Sequence, residues 1–166
     1  MKKSTIILSL ILGSLSAQFL VQAQTDSVPA VSISATQFER ILIVRLKTKT
    51  DLLEGLKQAV KNEAIKNAVI LTGIGSVTEF NVHAVNATVF PPEDIFLNKK
   101  GPYDIANVSG YVFDGRIHAH ITLSDLKTTI GGHLEPGTLA YTFAIITIGV
   151  LPDDAKLENF DNWKWY

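Results

Sequence analysis

The sequence predicts an α+β domain, a mostly antiparallel β-sheet with one principal α-helix. Runs rich in Val, Ile, Thr and Phe recur along the chain with turn-forming residues between them, as in successive antiparallel strands. One segment, residues 52–60, instead places its apolar side chains at helical spacing. The chain has 166 residues, which is enough for a single domain with its own core.

The first 23 residues have the organisation of a secretory signal peptide. Lys2 and Lys3 precede an apolar stretch, and Val21 and Ala23 place small residues at positions −3 and −1 before Gln24. An uncleaved membrane anchor is the alternative, but polar residues interrupt the stretch and it barely reaches spanning length. We expect cleavage before Gln24 and an exported, periplasmic or extracellular protein. Residues 24–36 are then a flexible N-terminal segment.

Composition narrows the classes of function. The chain has no Cys, which excludes a disulfide framework, a Cys-ligated zinc and a Cys nucleophile. Removal of the two leader lysines leaves 13 Lys and Arg against 16 Asp and Glu, a net charge of −3. No stripe of basic residues is present to neutralise phosphates, so the composition argues against a nucleic-acid partner.

The elements follow in order along residues 37–150. Residues 41–47 read as a strand, and Thr50 or Asp51 is a good N-cap for a helix whose apolar stripe covers residues 52–60, with a second short turn to Lys66 as an open extension. A strand at 68–72 leads into Gly73-Ile74-Gly75-Ser76, where two glycines favour a tight bend or bulge. The remaining predictions are one or two strands over 77–90, a loop over 90–102, a strand over 105–113 with a hairpin turn at Asp114-Gly115, a turn at Glu135-Pro136-Gly137 and a strand over 139–150.

Three of the four histidines fall within sixteen residues. His118 and His120 are two apart in a β-branched run, so they project from one face of a strand. A turn at 124–127 and the Gly-Gly pair before His133 would return that residue towards them. Three converging neutral imidazoles make a metal site, most readily for Zn²⁺, with a fourth position open. The alternative is three half-buried histidines bonded to neighbouring carbonyls, because a bare His-x-His is a weak signal.

Three further residues, His83, Asp125 and Glu135, are not predicted to be metal ligands. His83 is predicted to be a sheet-face histidine with an ordinary hydrogen bond, outside the metal set. Asp125 and Glu135 stand close to the histidines in sequence and could orient them or act as a base. Turn carboxylates in solvent are the favoured interpretation of both.

The end of the chain is apolar and aromatic. Residues 139–150 are nearly all apolar or Thr, which predicts a strand buried on both faces or covered by a partner subunit. Residues 151–166 form a tail that holds both tryptophans, Trp163 and Trp165. We expect this tail to pack on the domain or on a neighbour through its aromatic side chains.

Three motifs together resemble the plant-and-prokaryote conserved (PPC) domain family over residues 37–150. They are Leu-Thr-Gly-Ile-Gly-Ser-Val-Thr at 71–78, the His-x-His strand from 110 to 125, and Ile-Gly-Gly-His-Leu-Glu-Pro-Gly-Thr at 130–138. The resemblance implies an antiparallel-sheet domain that assembles as a homotrimer. It also implies that His118, His120 and His133 are the metal ligands, and it gives His83 no counterpart.

Members of this family from plants carry AT-hooks and regulate transcription, which is the origin of a DNA-binding label for the family. This chain has no Arg-Gly-Arg-Pro hook, and its leader would remove it from the nucleoid. Three hypotheses follow: an exported trimer that binds zinc or another divalent transition metal together with a small ligand, a metal-dependent enzyme of unknown substrate at the same site, or a DNA-binding regulatory module.

Overall fold

The structure is a computed structural model that describes residues 37–162 and Lys164. Within these residues the elements are β1 (Arg40–Lys47), α1 (Leu52–Asn62), β2 (Ala68–Val85), β3 (Asp94–Phe113), β4 (Arg116–Ser124), β5 (Thr129–Leu134) and β6 (Leu139–Val150). The strands form one antiparallel sheet in the order β1-β6-β2-β3-β4-β5. A mostly antiparallel sheet with one short helix is therefore confirmed.

The sheet curls so that its edge strand β5 pairs with the central strand β2. Beyond the region that pairs with β6, strand β2 also pairs with β5, through Val82 opposite Leu134 and His83 opposite His133. Strands β2, β3, β4 and β5 thus close into a ring. The closure places β4 and β5 beside the end of β2, although these segments are far apart in sequence.

A single apolar core fills the space between the strands and the helix. Helix α1 contributes Leu52, Leu53, Leu56 and Val60, all buried on one face of the helix. The largest fully buried side chain on the strands is Phe80, whose ring packs edge-on against Tyr103 with 5.1 Å between ring centroids. Each such aliphatic or aromatic side chain contributes on the order of 1.5–3 kcal/mol when it leaves water. The helix therefore stays attached to the sheet through its leucines.

The glycine bend predicted at 73–76 is a bulge inside a continuous strand. The register of β2 against β6 shifts between Ile70 and Thr72 and again between Gly75 and Val77. Gly75 has φ 144°, and a Cβ there would overlap the carbonyl oxygen of Phe143. A side chain is excluded because the backbone of β6 approaches too closely.

One predicted boundary is wrong, and one helix extension that the sequence left open is absent. The segment 90–102 is not a loop, because β3 starts at Asp94, which pairs with Val85. The prolines confine the turn to the residues before Asp94, and Pro102, which lacks an N–H, lies where the β2–β3 register shifts. Helix α1 ends at Asn62 and does not reach Lys66, because Ala64 takes a positive φ of 50° that helix geometry forbids.

The described part of the tail lies on the domain. Asn67 is buried, and its side-chain amide donates to the carbonyl of Ala155 at 2.7 Å. Leu157 of the tail is also buried. The leader, the segment 24–36, both tryptophans and the terminal tyrosine lie outside the described residues. No described helix has the length and apolarity that crossing a bilayer requires.

Asp51 is the N-cap of the helix, as predicted. One carboxylate oxygen accepts the N–H of Glu54 at 3.0 Å, and the other accepts the N–H of Gly137 at 2.6 Å. The Glu54 carboxylate does not complete a capping box, because it pairs with Lys57 at 2.8 Å. Asp51 therefore joins the start of the helix to the turn that follows β5.

The variant Asp51→Ala should lower the free energy of unfolding by about 2 kcal/mol or more, because it removes a helix cap and a second charged acceptor. Urea unfolding followed by circular dichroism measures the change. Asp154→Ala is the matched control, since Asp154 is exposed and has no hydrogen bond or ion pair among residues 37–162. Equal stabilities of the two variants would contradict the role given to Asp51.

Candidate metal centre

All four histidines of the chain meet on one face of the curled sheet. His120 on β4 lies directly opposite His133 on β5, and His133 lies directly opposite His83 on β2. Directly opposed residues of antiparallel strands project from the same face. His118 joins them because it is two residues before His120 on β4. The three strands therefore present a continuous row of imidazoles.

The three predicted ligands form a nearly regular triangle. Ring centroids are 4.8 Å apart for His118 and His133, 5.5 Å for His120 and His133, and 5.5 Å for His118 and His120. Imidazoles on a tetrahedral zinc, with Zn–N bonds of about 2.0–2.1 Å, have ring centres roughly 5 Å apart. The spacing of the ring centres agrees with a three-histidine zinc site, whereas the donor atoms that lie within 4.8 Å of one another among the described residues are those of His83, His133 and Glu135.

His83 lies inside the cluster, whereas the sequence predicted that it would lie outside the metal set. Its ring stacks on that of His133 with 4.4 Å between centroids. The pairing that brings them together joins residues fifty positions apart through closure of the sheet. No spacing motif could reveal that contact. The ordinary hydrogen bond predicted for His83 is present, and its acceptor is Glu135.

Glu135 is a partner of the histidines and not a turn carboxylate in solvent. One of its oxygens lies 2.7 Å from Nδ1 of His83 and 3.1 Å from Nδ1 of His133, and its side chain is 21% exposed. The alternation of strand faces predicts this position, since Glu135 follows His133 by two residues. Asp125 does stay in its turn, where the N–H groups of Lys127 and Thr128 lower its pKa.

A second carboxylate reaches the cluster from the tail. An oxygen of Asp161 lies 2.8 Å from Nδ1 of His118, and the Arg116 guanidinium donates to both oxygens at 2.6 and 2.7 Å. The bonded Arg116 holds the pKa of the Asp161 carboxyl well below its usual range. No local pattern points to this residue, because it stands 43 positions from His118 in a segment without a recognisable element.

Hydrogen bonding separates the four imidazoles into two kinds. His118 and His133 use Nδ1 for carboxylates, and neither Nε2 has a hydrogen-bond partner among the described residues. His120 has no such partner on either ring nitrogen within the same part of the chain. His83 faces carboxylates on both sides, Glu135 at Nδ1 and Asp94 at 3.8 Å from Nε2. All four imidazoles thus keep at least one ring nitrogen free of hydrogen bonds to the described residues, and Nε2 of His83 differs in having a carboxylate 3.8 Å away.

A tighter grouping competes with this set. Ligand atoms of His83, His133 and Glu135 all lie within 4.8 Å of one another. Two imidazole nitrogens and a carboxylate oxygen also suit zinc. His133 belongs to both groupings, so it is the residue on which either metal site depends.

The cluster favours neutral imidazoles. Burial lowers the pKa of both His120 and His133, and the positive charges of His118 and His83 act in the same direction. For His133 the Glu135 carboxylate opposes the shift. A lowered pKa keeps an imidazole in the deprotonated form that binds metal ions.

An open groove lies beside the cluster. It has a volume of about 540 Å³, within the range of small-molecule sites. Its polar end is formed by His118, His120 and Asp161, and its apolar part includes Val69 and Tyr111. A small molecule in this groove would contact the imidazoles directly.

The fold and the imidazole cluster define a class of small antiparallel-sheet domains, and comparison with known proteins gives the family. Residues 33–152 match the Plants and Prokaryotes Conserved (PCC) domain, the PPC family named above. The chain belongs to this family, and the resemblance noted in the sequence is confirmed.

Solved structures share the fold. A metal-containing protein from Archaeoglobus fulgidus superposes with a TM-score of 0.66 at 19% identity, covering 75% of this chain and 89% of that one. A plant- and prokaryote-conserved protein from Pyrococcus horikoshii gives 0.61 at 24% identity, covering 76% and 87%. Identities this low establish the common architecture alone.

A curated relative is much longer than this chain. The bifunctional protein GlmU of Synechococcus sp. strain JA-3-3Ab is 28% identical over 110 residues, which are 66% of this chain. The matched segment spans 17% of that protein. The likeness therefore concerns one domain of the relative.

The metal-free protein should become less stable as the pH falls from 7 towards 5. His120 and His133 have lowered pKa values in the folded chain, whereas histidines of the unfolded chain titrate near ~6.5. The unfolded chain therefore binds more protons below that pH, and stability falls with it. Urea unfolding of wild type and His133→Asn at both pH values measures the effect. An equal pH dependence in the two proteins would contradict it.

Proposed function

We propose that this chain is an exported metal-binding protein of the PPC family that holds a transition-metal ion, zinc in the first place, through His118, His120 and His133. The observation that carries the proposal is the triangle of these three rings, whose centroids lie 4.8 to 5.5 Å apart. Each of these imidazoles offers a nitrogen with no hydrogen-bond partner in the described part of the chain, while Asp161 and Glu135 hold the other nitrogen of two of them. Carboxylates commonly orient metal-binding histidines in this way.

The donor set favours transition-metal ions such as zinc over hard ions. Three neutral imidazoles suit Zn²⁺, Cu²⁺ and Ni²⁺, whereas Mg²⁺ and Ca²⁺ prefer oxygen ligands. Three protein ligands leave a coordination position for water or for a ligand atom. The groove lined by His118 and His120 supplies space for a small molecule at that position. Binding of a small ligand through the metal is therefore the proposed role.

Zinc titration by calorimetry tests the site. Wild-type protein is expected to bind one Zn²⁺ per chain, and His120→Ala should weaken binding at least 100-fold because two imidazoles hold zinc poorly. His133→Ala should abolish binding, since it breaks both groupings. Affinity should fall as the pH drops through about 6.5, where protons compete for the imidazoles.

His83→Ala is the matched control for the zinc titration. It removes an imidazole from the same cluster and should leave the affinity nearly unchanged. If His83→Ala loses zinc and His120→Ala retains it, the ligands are instead His83, His133 and Glu135. If wild type takes up no metal, the proposed function is wrong.

Metal-dependent catalysis is the alternative for the same site. A three-histidine zinc with an open position lowers the pKa of bound water to about 7. The two carboxylates at the cluster are already bonded to imidazoles, which favours an orienting role over that of a general base. Assays of the zinc-loaded protein with a generic ester or phosphate ester separate catalysis from binding.

We further propose that the protein is a homotrimer. Ile41 and Ile43 on β1 and Ile74 on β2 are 51%, 67% and 53% exposed, and all three lie on the same face of the sheet formed by β1, β6 and β2. Ile145 lies between Arg45 and Ile74 on the same face. Adjacent exposed isoleucines on a sheet are typical of an interface. A cyclic trimer would cover them through two different patches on each subunit.

Light scattering of the mature protein should give about three times the mass of one chain. Ile43→Glu should shift this mass towards that of the monomer, because it places a charge in the proposed interface. Leu126→Glu is the control, since Leu126 is fully exposed in the turn between β4 and β5. A wild-type monomer at micromolar concentration would rule out the trimer.

Export predicts a defined N-terminus. Mass spectrometry of protein from its native host should find Gln24, or its pyroglutamate form, as the first residue. The basis is the leader pattern of Lys2, Lys3, the apolar stretch and the small residues before Gln24. Recovery of the full-length chain from the cytosol would refute the prediction.

A further inference from the structure

The match to the PCC domain ends at residue 152, and the segment that follows contributes to the imidazole cluster. Residues 153–162, the part of the tail that lies beyond the family match, are fixed to the domain at several points. The Asn67 side chain donates to the carbonyls of Asp153 and Ala155, and Lys66 pairs with Asp153 at 3.1 Å. Leu157 is 6% exposed. These contacts deliver Asp161 to His118.

Asp161 is held from two sides. Arg116 donates from both terminal nitrogens, one to each carboxylate oxygen, in a bidentate pair. The Arg116 guanidinium also lies over the Phe113 ring, 5.6 Å from its centroid. The Asp161 side chain is only 15% exposed. The carboxylate therefore has little freedom to leave Nδ1 of His118.

A fixed carboxylate at Nδ1 determines the tautomer of a neutral histidine. The carboxylate only accepts, so the Nδ1 atom of His118 must carry the proton, and Nε2 keeps its lone pair. Glu135 has the same relation to His133 and His83 and has no such bond to His118. Without Asp161, His118 would be a member of the cluster with no carboxylate to orient it.

We propose that Asp161 is a positioning residue that locks His118 with its proton on Nδ1 and its metal-binding lone pair on Nε2. The tail, which lies beyond the family domain, is then a working part of the metal centre. The consequence for metal affinity depends on the function proposed above, whereas the tautomer of His118 does not. The competing view is that Asp161 only anchors the tail through Arg116.

Nitrogen NMR of the metal-free mature protein at pH 7.5 distinguishes these views. Long-range proton–nitrogen correlations report which nitrogen of His118 carries the proton. Wild type is expected to show the Nδ1–H form alone. Asp161→Ala should give a mixture with the Nε2–H form, because no acceptor remains. Asp161→Leu, which keeps the size of the side chain and has no acceptor, should give the same mixture.

Zinc titration of the same variants supplies the second measurement. Loss of a carboxylate behind a metal-binding histidine weakens binding by about 10–100-fold. Asp161→Ala and Asp161→Leu should both show a loss of this size. Asp153→Ala is the matched control, because it removes another carboxylate of the tail that pairs with Lys66 and has no bond to a histidine.

Each outcome bears on the proposal. An unchanged His118 tautomer in folded Asp161→Ala would overturn it, and so would an equal loss of zinc affinity in Asp153→Ala, which would show that tail anchoring is sufficient. If wild type binds no zinc, the proposed function fails and the tautomer measurement still decides the role of Asp161. If Asp161→Ala does not fold, the comparison of Asp161→Leu with wild type takes its place: an unchanged Nδ1–H form in Asp161→Leu would overturn the proposal.

Discussion

The short pairing between β2 and β5 is the constraint on which the rest of the molecule depends. It consists of Val82 opposite Leu134 and His83 opposite His133. Because successive residues of a strand face opposite ways, Val82 and Leu134 close the core while His83 and His133 meet outside it. The same contact therefore seals the apolar interior and assembles the imidazole cluster. A register shift of one residue would bury two histidines and expose two core residues.

Burial and the charges of neighbouring imidazoles favour the neutral forms of His120 and His133 in this row of four rings. Protonation of several would place positive charges within about 5 Å of one another, where repulsion in a half-buried site is large. Two partly buried carboxylates, Glu135 and Asp161, supply acceptors for the Nδ1 protons of three rings. The polar face of the curled sheet is thus satisfied through imidazole–carboxylate bonds, and the remaining ring nitrogens stay available.

Contacts between residues close together in sequence could be predicted, whereas contacts between distant segments could not. The alternation of faces along a strand was enough to place His118 beside His120, and one hairpin turn was enough to return His133. His83 and Asp161 were missed because their contacts need sheet closure and a tail that runs back along the domain. The loop predicted over 90–102 was wrong because local turn composition concealed an extended pairing with β2. Local patterns therefore recovered the strands, and long-range contacts completed the site.

Asp51 links two parts of the molecule through its two carboxylate oxygens. Its carboxylate caps the helix and also binds the N–H of Gly137, two residues after Glu135. The turn that holds Glu135 is thus tied to the first turn of α1, the part of a helix that frays most readily. Fraying of that turn would free the N–H of Gly137 and loosen the position of Glu135, which bonds His83 and His133. A helix terminus on the other side of the turn thereby limits how rigidly two of the imidazoles are held.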